Sequence, residues 1–216
     1  VHVVTRLRDR LGGTPFRTFL DVGAAHGGYS VAALLAFPGI RAYAFEPLPD
    51  VFEVLREVAG TRPAITPFPL AVGDSDEAGT IRRSKNSGSS SLLRLLPSHV
   101  EHFPGTQEDG EVEVRVRTLD SLAASGEVIV DRPSLMKVDV QGYEDRVLDG
   151  ARETLGGIDA IVMELSHTPL YEGQVLLPEL RRRIEERGFS FRGPFSEVRS
   201  ATTGEVVQVD GLFVRE

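Results

Sequence analysis

The chain has 216 residues, of which 41% are hydrophobic and 26% are charged, a balance typical of one globular domain with a proper core. It contains no cysteine, which excludes disulfides, thiolate metal sites and cysteine nucleophiles. A formal net charge of -8 argues against a broad electrostatic grip on nucleic acid.

The apolar runs of the sequence are short. The segment Val31–Phe37 is far below the length that spans a bilayer, and Arg6, Arg8 and Arg10 interrupt the first residues. We therefore expect a cytoplasmic protein that binds neither membranes nor nucleic acid.

Strand and helix patterns alternate along the first third of the chain, as is typical of a parallel sheet covered by helices. In chain order we predict a helix at Val3–Leu11, a strand at Arg17–Val22, a helix at Gly28–Phe37, a strand at Ala42–Phe45 and a helix at Asp50–Ala59. A third strand, Ile65–Val72, is rich in proline and is predicted to be irregular.

The middle of the chain departs from this alternation. Half-buried strands are predicted at Gly79–Arg83 and Glu111–Arg117, and between them lies the polar loop Ser84–Ser91, followed by an apolar patch that ends at Leu96. Long loops inside compact domains are often functional lids. We predict a hairpin insertion at about residues 75–117, in which Ser84–Pro104 closes over the site.

Alternation resumes in the last part of the chain. The predicted elements are a helix at Thr118–Ala124, a strand at Ser134–Val140, a helix at Glu144–Leu155, a strand at Ala160–Leu165, a helix at Leu177–Arg187, and an antiparallel strand pair at Phe189–Arg192 and Val206–Val214. This gives seven core strands in a single domain that spans residues 1–216.

The segment Phe19–Ser30 predicts a strand that turns through small residues into a helix. Glycine or alanine lets such a turn pass tightly and leaves room for a ligand against the backbone, where the helix presents free N–H groups. Gly23, Ala25 and Gly28 also match a loose G-x-A-x-x-G dinucleotide fingerprint. The turn by itself therefore indicates a nucleotide-type site of unspecified kind.

Three acidic residues narrow the kind of ligand that this site can bind. Glu46 ends the second strand, where a carboxylate can accept both hydroxyls of a ribose. Asp139 ends a later strand, at the carboxyl edge where open α/β sheets bind ligands. A positively charged ligand would tolerate Asp21 beside the glycine turn, whereas a dinucleotide pyrophosphate would be repelled by it.

The sequence strongly resembles the FkbM family of S-adenosylmethionine-dependent methyltransferases, which belong to the Rossmann-like class. The stretches that carry the resemblance are Leu20–Ser30, Ala44–Pro47, Leu70–Asp74 and Leu135–Glu144, together with the serine cluster before Leu92 and the triplet Thr118–Asp120. The most specific element is Lys-x-Asp-x-x-Gly-x-Glu. One departure is Ala25, which replaces the middle glycine of the broader class and is tolerated if φ there is negative.

The resemblance implies a seven-stranded, mostly parallel sheet of order 3-2-1-4-5-7-6, with the last strand antiparallel and helices on both faces. It implies S-adenosylmethionine as cofactor and methyl transfer to a hydroxyl of a small molecule, sugar or natural product, by a monomer or homodimer. The residues assigned to cofactor binding are Asp21, Gly23, Ala24, Gly27, Tyr29, Ser30, Glu46, Pro47, Ala71, Val72, Asp74 and Asp139.

A hydroxyl acceptor needs a base for its proton. Asp139, Glu144 and His167 are the residues predicted to supply it, with Lys137 beside them. No residue is assigned to a metal, but Asp139 with nearby acids could hold a magnesium ion as well as act alone. For Lys137, Asp139 and Glu144 a purely structural role is also possible. Lys137 and Asp139 point to the same side of their strand and can form a supporting ion pair, and Glu144 can complement a helix dipole.

The remaining polar residues are predicted to lie in solvent. His99 and His102 are spaced for a helix pair but have no further ligand nearby, and Arg181–Arg183 is typical of an exposed helix face. Two other functions stay open: a nicotinamide-dependent oxidoreductase, for which no Tyr-x-x-x-Lys site is present, and a partner subunit that binds the donor but methylates nothing.

Overall fold

A computed structural model describes residues 7–216. Its main sheet has seven strands: β1 Thr18–Val22, β2 Arg41–Phe45, β3 Ile65–Phe68, β7 Ser134–Val138, β8 Ala160–Ser166, β9 Phe189–Arg199 and β10 Val206–Arg215. They are arranged in the order β3-β2-β1-β7-β8-β10-β9. If only these seven strands are numbered along the chain, their order in the sheet is 3-2-1-4-5-7-6. The strands from β3 to β8 pair in parallel, and β10 is antiparallel to both neighbours.

Helices cover both faces of this sheet, as predicted. They are α1 Gly28–Ala36, α2 Pro49–Gly60, α3 Pro97–His102, α4 Leu119–Ala124, α5 Glu144–Asp149 and α6 Leu177–Glu185. Alternate residues of a strand face opposite sides. Phe19 therefore packs in a core with α1 and α2, whereas its neighbour Leu20 packs in a second core with α4, α5 and α6. The predicted fold class is confirmed.

The predicted third strand, Ile65–Val72, is split in two. Its first half, β3, pairs with β2 in the main sheet, and its second half, β4 Ala71–Val72, pairs with β6 Glu108–Arg117 in another sheet. Pro67 and Pro69 have no N–H to donate to a ladder, and the chain turns between the halves, where Leu70 N donates to Phe68 O. Proline therefore ends the strand rather than merely distorting it.

A second sheet stands beside the main one. It consists of β4, β6 and β5 Glu77–Ser84, in that order, and its two long strands pair antiparallel. Strand β5 extends beyond its predicted range at both ends, whereas β6 begins earlier than predicted and ends at Arg117 as predicted. Ile81, Val114 and Val116 pack there against Leu48 and Val51 of the segment that follows β2. The small sheet thus lies next to the carboxyl end of β2.

Other predicted bounds need correction. The helix predicted at Glu144–Leu155 ends at Asp149, and Gly150 is its C-cap. A Cβ at residue 150 would lie 1.9 Å from Gly73 O, so this cap has to be glycine. A 3-10 turn follows at Thr154–Gly157. Strand β7 ends at Val138, two residues early, and β9 runs seven residues beyond its predicted end at Arg192.

At the amino end, residues 7–10 are helical, and the beginning of the predicted helix Val3–Leu11 lies outside the described residues. None of the helices in the described part of the chain is long and apolar enough to cross a bilayer.

Candidate functional site

Three strands end side by side at one edge of the main sheet. Val22, the last residue of β1, is in register with Phe45 of β2 on one side and Val138 of β7 on the other. The residues that follow them are Gly23, Glu46 and Asp139. Parallel pairing therefore brings together three residues that lie far apart in the sequence, at the edge where α/β sheets bind ligands.

Residue 23 has to be glycine because its backbone lies against the backbone of Asp139. Its φ is 79°, and an ideal Cβ there would lie 1.8 Å from the carbonyl oxygen of Asp139. The N–H groups of Gly23 and Ala24 both donate to Phe45 O, and Asp139 N donates to Val22 O, so that the turn is fixed to both neighbouring strands. Only glycine fits at this position.

Ala25 contradicts the expectation of a negative φ, because its φ is 47°. This left-handed conformation is unfavourable for alanine. It is held by a hydrogen bond from Ala25 N to Glu46 Oε2 at 3.0 Å. Gly27 is also left-handed, with a φ of 79°, and a Cβ at this position would lie 2.8 Å from Leu55 Cδ1. The turn is therefore fixed by contacts with β2 and α2.

A cleft opens at this edge with an empty volume of about 770 Å³, part of it open to solvent. Six of the predicted cofactor residues line it: Gly23, Glu46, Pro47, Ala71, Val72 and Asp139. Ala25 of the glycine turn and four residues of the predicted lid also line it: Ser87, Gly88, Ser90 and Leu92. The lining residues that sequence reasoning missed are Phe45, Leu48, Val51, Leu70, Ile81, Val140, Gln141 and Tyr143. Most are apolar, and both charged lining residues are acidic.

Glu46 is held on both carboxyl oxygens. Oε2 accepts from Ala25 N at 3.0 Å, and Oε1 accepts from Leu48 N at 2.8 Å. The residue is only 6% exposed, and burial raises its pKa to about 7, although the two backbone N–H groups oppose the rise. Each oxygen has a lone pair left for a ligand hydroxyl.

Asp139 lies in the cleft beside a buried cation. Its Oδ2 accepts from Lys137 Nζ at 3.0 Å, and the side chain of Asp139 is 30% exposed against 4% for Lys137. Lys137 also lies 4.4 Å from the ring centroid of Tyr29. Burial lowers the pKa of Lys137, but the carboxylates of Asp139 and Asp21 outweigh it, and the net pKa is raised. Lys137 is therefore a charged partner that orients Asp139.

Gln141 and Glu164 complete this part of the site, and the sequence predicts neither. Gln141 Nε2 donates to Asp139 Oδ1 at 2.8 Å and to Glu164 Oε2 at 3.1 Å. Glu164 lies on β8 and is buried, which raises its pKa well above the usual range. The one feature of the sequence that could have predicted Glu164 as a site residue is its place in a strand expected to lie beside β7.

Glu144 shapes the loop that carries these groups. Its Oε1 accepts from Val140 N and from Gly142 N, both at 3.2 Å, and the residue is only 2% exposed. Burial raises its pKa to about 7. Glu144 is not among the described residues that line the cleft, so its geometry favours loop support over the predicted catalytic role.

Two histidines lie elsewhere than predicted. His167 is exposed and outside the cleft lining, because the chain turns away after β8 and its backbone N–H donates to Val207 O. His99 is buried, not solvated: Nδ1 bonds Thr106 Oγ1 at 2.9 Å, and Nε2 lies 3.1 Å from the Tyr171 hydroxyl. Burial lowers the pKa of His99 to about 4. His102 bonds Ser200 Oγ at 3.1 Å.

Six residues assigned to the cofactor lie outside the lining of the described cleft: Asp21, Ala24, Gly27, Tyr29, Ser30 and Asp74. Asp21 is fully buried below it and accepts from Ser30 Oγ at 2.6 Å, and burial raises the pKa of its carboxyl. Asp74, which the sequence assigns to cofactor binding, forms an ion pair with Arg146 at 3.0 Å. Within residues 7–216, no group of three or more acidic or histidine side chains is arranged to hold a metal ion.

The segment Ser84–Pro104 lines part of the cleft, and its later residues are bonded to the loop that follows β8. Leu96 N donates to Leu170 O at 2.9 Å, and Ser98 Oγ donates to Pro169 O at 2.7 Å. Leu92 from the apolar patch of this segment lines the described cleft, whereas Leu93 and Leu95 pack against the cluster of Leu170, Tyr171 and Val207.

The sheet order and the three strand ends define a Rossmann-like α/β domain with a ligand-binding edge. The chain resembles the crystal structure of methyltransferase FkbM from Methylobacillus flagellatus KT, with a TM-score of 0.56 and 17% sequence identity. The match covers 93% of this chain and 44% of that chain, and it is a likeness in fold. The methyltransferase FkbM domain matches residues 21–191. The chain therefore belongs to the FkbM methyltransferase family, which confirms the resemblance seen in its sequence.

Two relatives share more of its sequence. The chain is 29% identical over 169 residues to 2-O-methyltransferase NoeI of Sinorhizobium fredii, covering 76% of this chain and 69% of that protein. It is 30% identical over 145 residues to hexuronic acid methyltransferase AglP of Haloferax volcanii, covering 67% of this chain and 54% of the relative. The chain thus spans only part of each relative's length.

Proposed function

We propose that this protein transfers a methyl group from S-adenosylmethionine to a hydroxyl of a small molecule or sugar. The observation that carries the proposal is the meeting of Glu46 and Asp139 in one cleft, on either side of Gly23. Glu46 suits the ribose of the donor, and Asp139 suits the proton of the acceptor. The names of the two relatives, which include a 2-O-methyltransferase, support an O-linked product.

The residues of the cleft fit the donor. Glu46 offers one lone pair on each oxygen to the ribose hydroxyls, and Leu48, Val51 and Leu70 offer an apolar surface to the adenine. When bound, the donor supplies a methyl group on a positively charged sulfur and leaves as S-adenosylhomocysteine. Acidic lining is compatible with that charge, and neither Glu46 nor Asp139 would face a phosphate.

Asp139 is the base in this proposal. The acceptor oxygen forms a bond to the methyl carbon as the bond from that carbon to sulfur breaks, and the hydroxyl proton passes to an Asp139 carboxylate oxygen. Lys137 and Gln141 each bond one oxygen of Asp139, which fixes its direction. The remaining task of the protein is alignment of the two reactants in a dry cleft.

The experiment that tests this function combines binding with turnover. Calorimetry should show binding of S-adenosylmethionine and S-adenosylhomocysteine but not of NAD⁺. Mass spectrometry should show methyl transfer to at least one of a panel of methyl glycosides and hexuronic acids. Donor binding without transfer to any acceptor would favour the non-catalytic partner subunit, and binding of NAD⁺ alone would favour the oxidoreductase.

Replacing Glu46 with alanine should weaken the binding of S-adenosylhomocysteine by ~1.5–3 kcal/mol, because charge-assisted hydrogen bonds to the ribose are lost. Binding to the native protein should also weaken as pH falls through about 7, the raised pKa of Glu46. Only the ionised carboxylate accepts from both hydroxyls, so affinity should fall roughly tenfold per pH unit below that value. Calorimetry between about pH 5 and 8 measures both effects.

Glu46→Gln is the matched control for the pH effect, since it keeps the shape of the side chain but cannot titrate. Its affinity should be lower than that of the native protein at high pH and flat across the range. A native profile that is equally flat, or a dissociation constant unchanged in Glu46→Ala, would remove Glu46 from the donor site.

The segment Ser84–Pro104 should gain protection when the cleft fills. Ser87, Gly88, Ser90 and Leu92 line the cleft from this segment, so that ligands would add contacts to its inner side. Hydrogen exchange should slow in this segment with S-adenosylhomocysteine and slow further with an acceptor, while β9 stays unchanged. Equal exchange with and without both ligands would mean that the segment is a fixed wall and not a lid.

A further inference from the structure

The side chain of Gln141 connects three elements around the cleft. Its amide nitrogen donates one N–H to Asp139 Oδ1 at 2.8 Å and the other to Glu164 Oε2 at 3.1 Å. Its amide oxygen accepts from the hydroxyl of Tyr171 at 2.8 Å. Both donors and the acceptor of the amide are therefore used, and each partner comes from a different segment of the chain.

The backbone of Gln141 is held as firmly as its side chain. Its φ is 58°, the left-handed conformation that residues other than glycine rarely adopt. Its carbonyl oxygen accepts from Ser91 Oγ at 2.7 Å, and Glu144 fixes the N–H groups on either side of it. Unfavourable backbone of this kind persists only where the surroundings over-determine it, and it is concentrated at functional sites.

The charges around Asp139 explain what an amide achieves there. Groups from several elements and loops interact with its carboxylate: Lys137, Asp21, Tyr29, Glu144, Glu164, Asp210 and Tyr171. Most of them are acidic, and Lys137 is the cation. A neutral group with two N–H donors can bridge Asp139 and Glu164 without adding charge, which a lysine or a carboxylate cannot do.

We propose that Gln141 is a positioning residue for the transfer, which holds the carboxylate of Asp139 in the direction of the acceptor hydroxyl. Lys137 bonds Oδ2 and Gln141 bonds Oδ1, so that rotation of the carboxylate is blocked on both sides. This inference rests on the proposed function, because it assigns Asp139 as the base.

Tyr171 orients the amide in turn. Its hydroxyl donates to the Gln141 oxygen, and it also lies 3.0 Å from Ser89 O and 3.1 Å from His99 Nε2. Tyr171 is 1% exposed, so the ring cannot turn away into solvent. The segment Ser84–Pro104, through Ser89, Ser91 and His99, is thereby joined to the residue that positions the base.

Nuclear magnetic resonance of the full chain tests the contacts without any acceptor. The side-chain amide protons of Gln141, identified by their loss in Gln141→Leu, should resonate downfield and exchange slowly, because each is bonded to an oxygen of a carboxyl group, that of Asp139 or that of the buried Glu164. Asp139→Asn should move one of the two resonances, and Glu164→Gln should move the other. Amide protons that exchange freely, or that neither variant moves, would overturn the proposal.

Kinetics with the best methyl glycoside of the panel tests the consequence. Gln141→Leu and Gln141→Glu should each lower kcat roughly 10- to 100-fold, with the acceptor KM and the affinity for S-adenosylhomocysteine within about threefold of native. Tyr171→Phe, which removes only the hydroxyl, should lower kcat by a smaller factor in the same direction. Unchanged kcat in both Gln141 variants would show that the residue only supports the loop.

Thr154→Val is the matched control. The buried Thr154 also holds a loop, because its hydroxyl donates to Asp120 Oδ1 at 2.7 Å, but neither residue lines the described cleft. This variant should lower the melting temperature and leave kcat within about threefold of native. If the native protein binds S-adenosylhomocysteine but methylates nothing, the proposed function fails, whereas the resonance experiment still decides whether Gln141 holds Asp139.

Discussion

Replacing Asp139 with asparagine should lower turnover by on the order of 10²- to 10⁴-fold, the contribution typical of a general base. Asparagine keeps the shape of the side chain and can still accept a hydrogen bond from Lys137, but it cannot take the proton of the acceptor. Affinity for S-adenosylhomocysteine should stay nearly native, because Glu46 and the glycine turn carry that contact. Single-turnover kinetics and calorimetry on the same preparations measure the two effects.

Two further experiments test whether Asp139 itself is the base. His167→Ala should turn over normally, since His167 is exposed outside the cleft. The native enzyme should be insensitive to chelator if Asp139 acts directly, whereas activity that is lost with chelator and restored with magnesium would give Asp139 a metal-binding role. Normal turnover in Asp139→Asn together with loss in His167→Ala would reverse the assignment of the base.

Gly23→Ala should remove the donor site and most of the stability of the fold. Its Cβ would lie 1.8 Å from the carbonyl oxygen of Asp139, and its φ of 79° is unfavourable for alanine. Neither backbone can move away easily, because Gly23 N bonds Phe45 O and Asp139 N bonds Val22 O. We expect a loss of more than ~4 kcal/mol in the free energy of unfolding, the range of the most damaging substitutions.

Gly39→Ala separates the clash from the backbone conformation. Gly39 has φ 85°, close to that of Gly23, but nothing lies within 4 Å of the position that its Cβ would take. This control should lose only ~1–2 kcal/mol, the cost of a left-handed alanine. Chemical unfolding of the two variants measures the difference. Similar losses in both would mean that β1 and β7 do not approach as closely as described.

The site residues whose position the sequence predicts are those that follow directly from the end of a strand. Gly23, Glu46 and Asp139 each come directly after an apolar strand, and parallel pairing places all three at one edge whatever the loops do. The same logic predicts the seven-stranded sheet. It fails at Ile65–Val72, because an apolar run does not show where proline transfers the chain from one sheet to another.

The residues that the sequence misses depend on partners far along the chain. Gln141 is positioned by Glu164 and Tyr171, and His99 is buried because Tyr171 covers it, contacts that no local pattern shows. The place of His167 after β8 predicts a site residue, but the direction of the chain beyond that strand is set by its bond to Val207. The assignment of the lid, the domain bounds, the oligomeric state and the cytoplasmic location stay predictions.

A crystal structure of the full chain with S-adenosylhomocysteine tests the central claim most directly. We predict that the ribose hydroxyls bond the carboxylate of Glu46 and that the backbone of Gly23 lies against the ligand. We also predict that the sulfur faces Asp139 across the space left for the acceptor. A ligand bound away from the ends of β1, β2 and β7, or a sulfur turned away from Asp139, would contradict this claim.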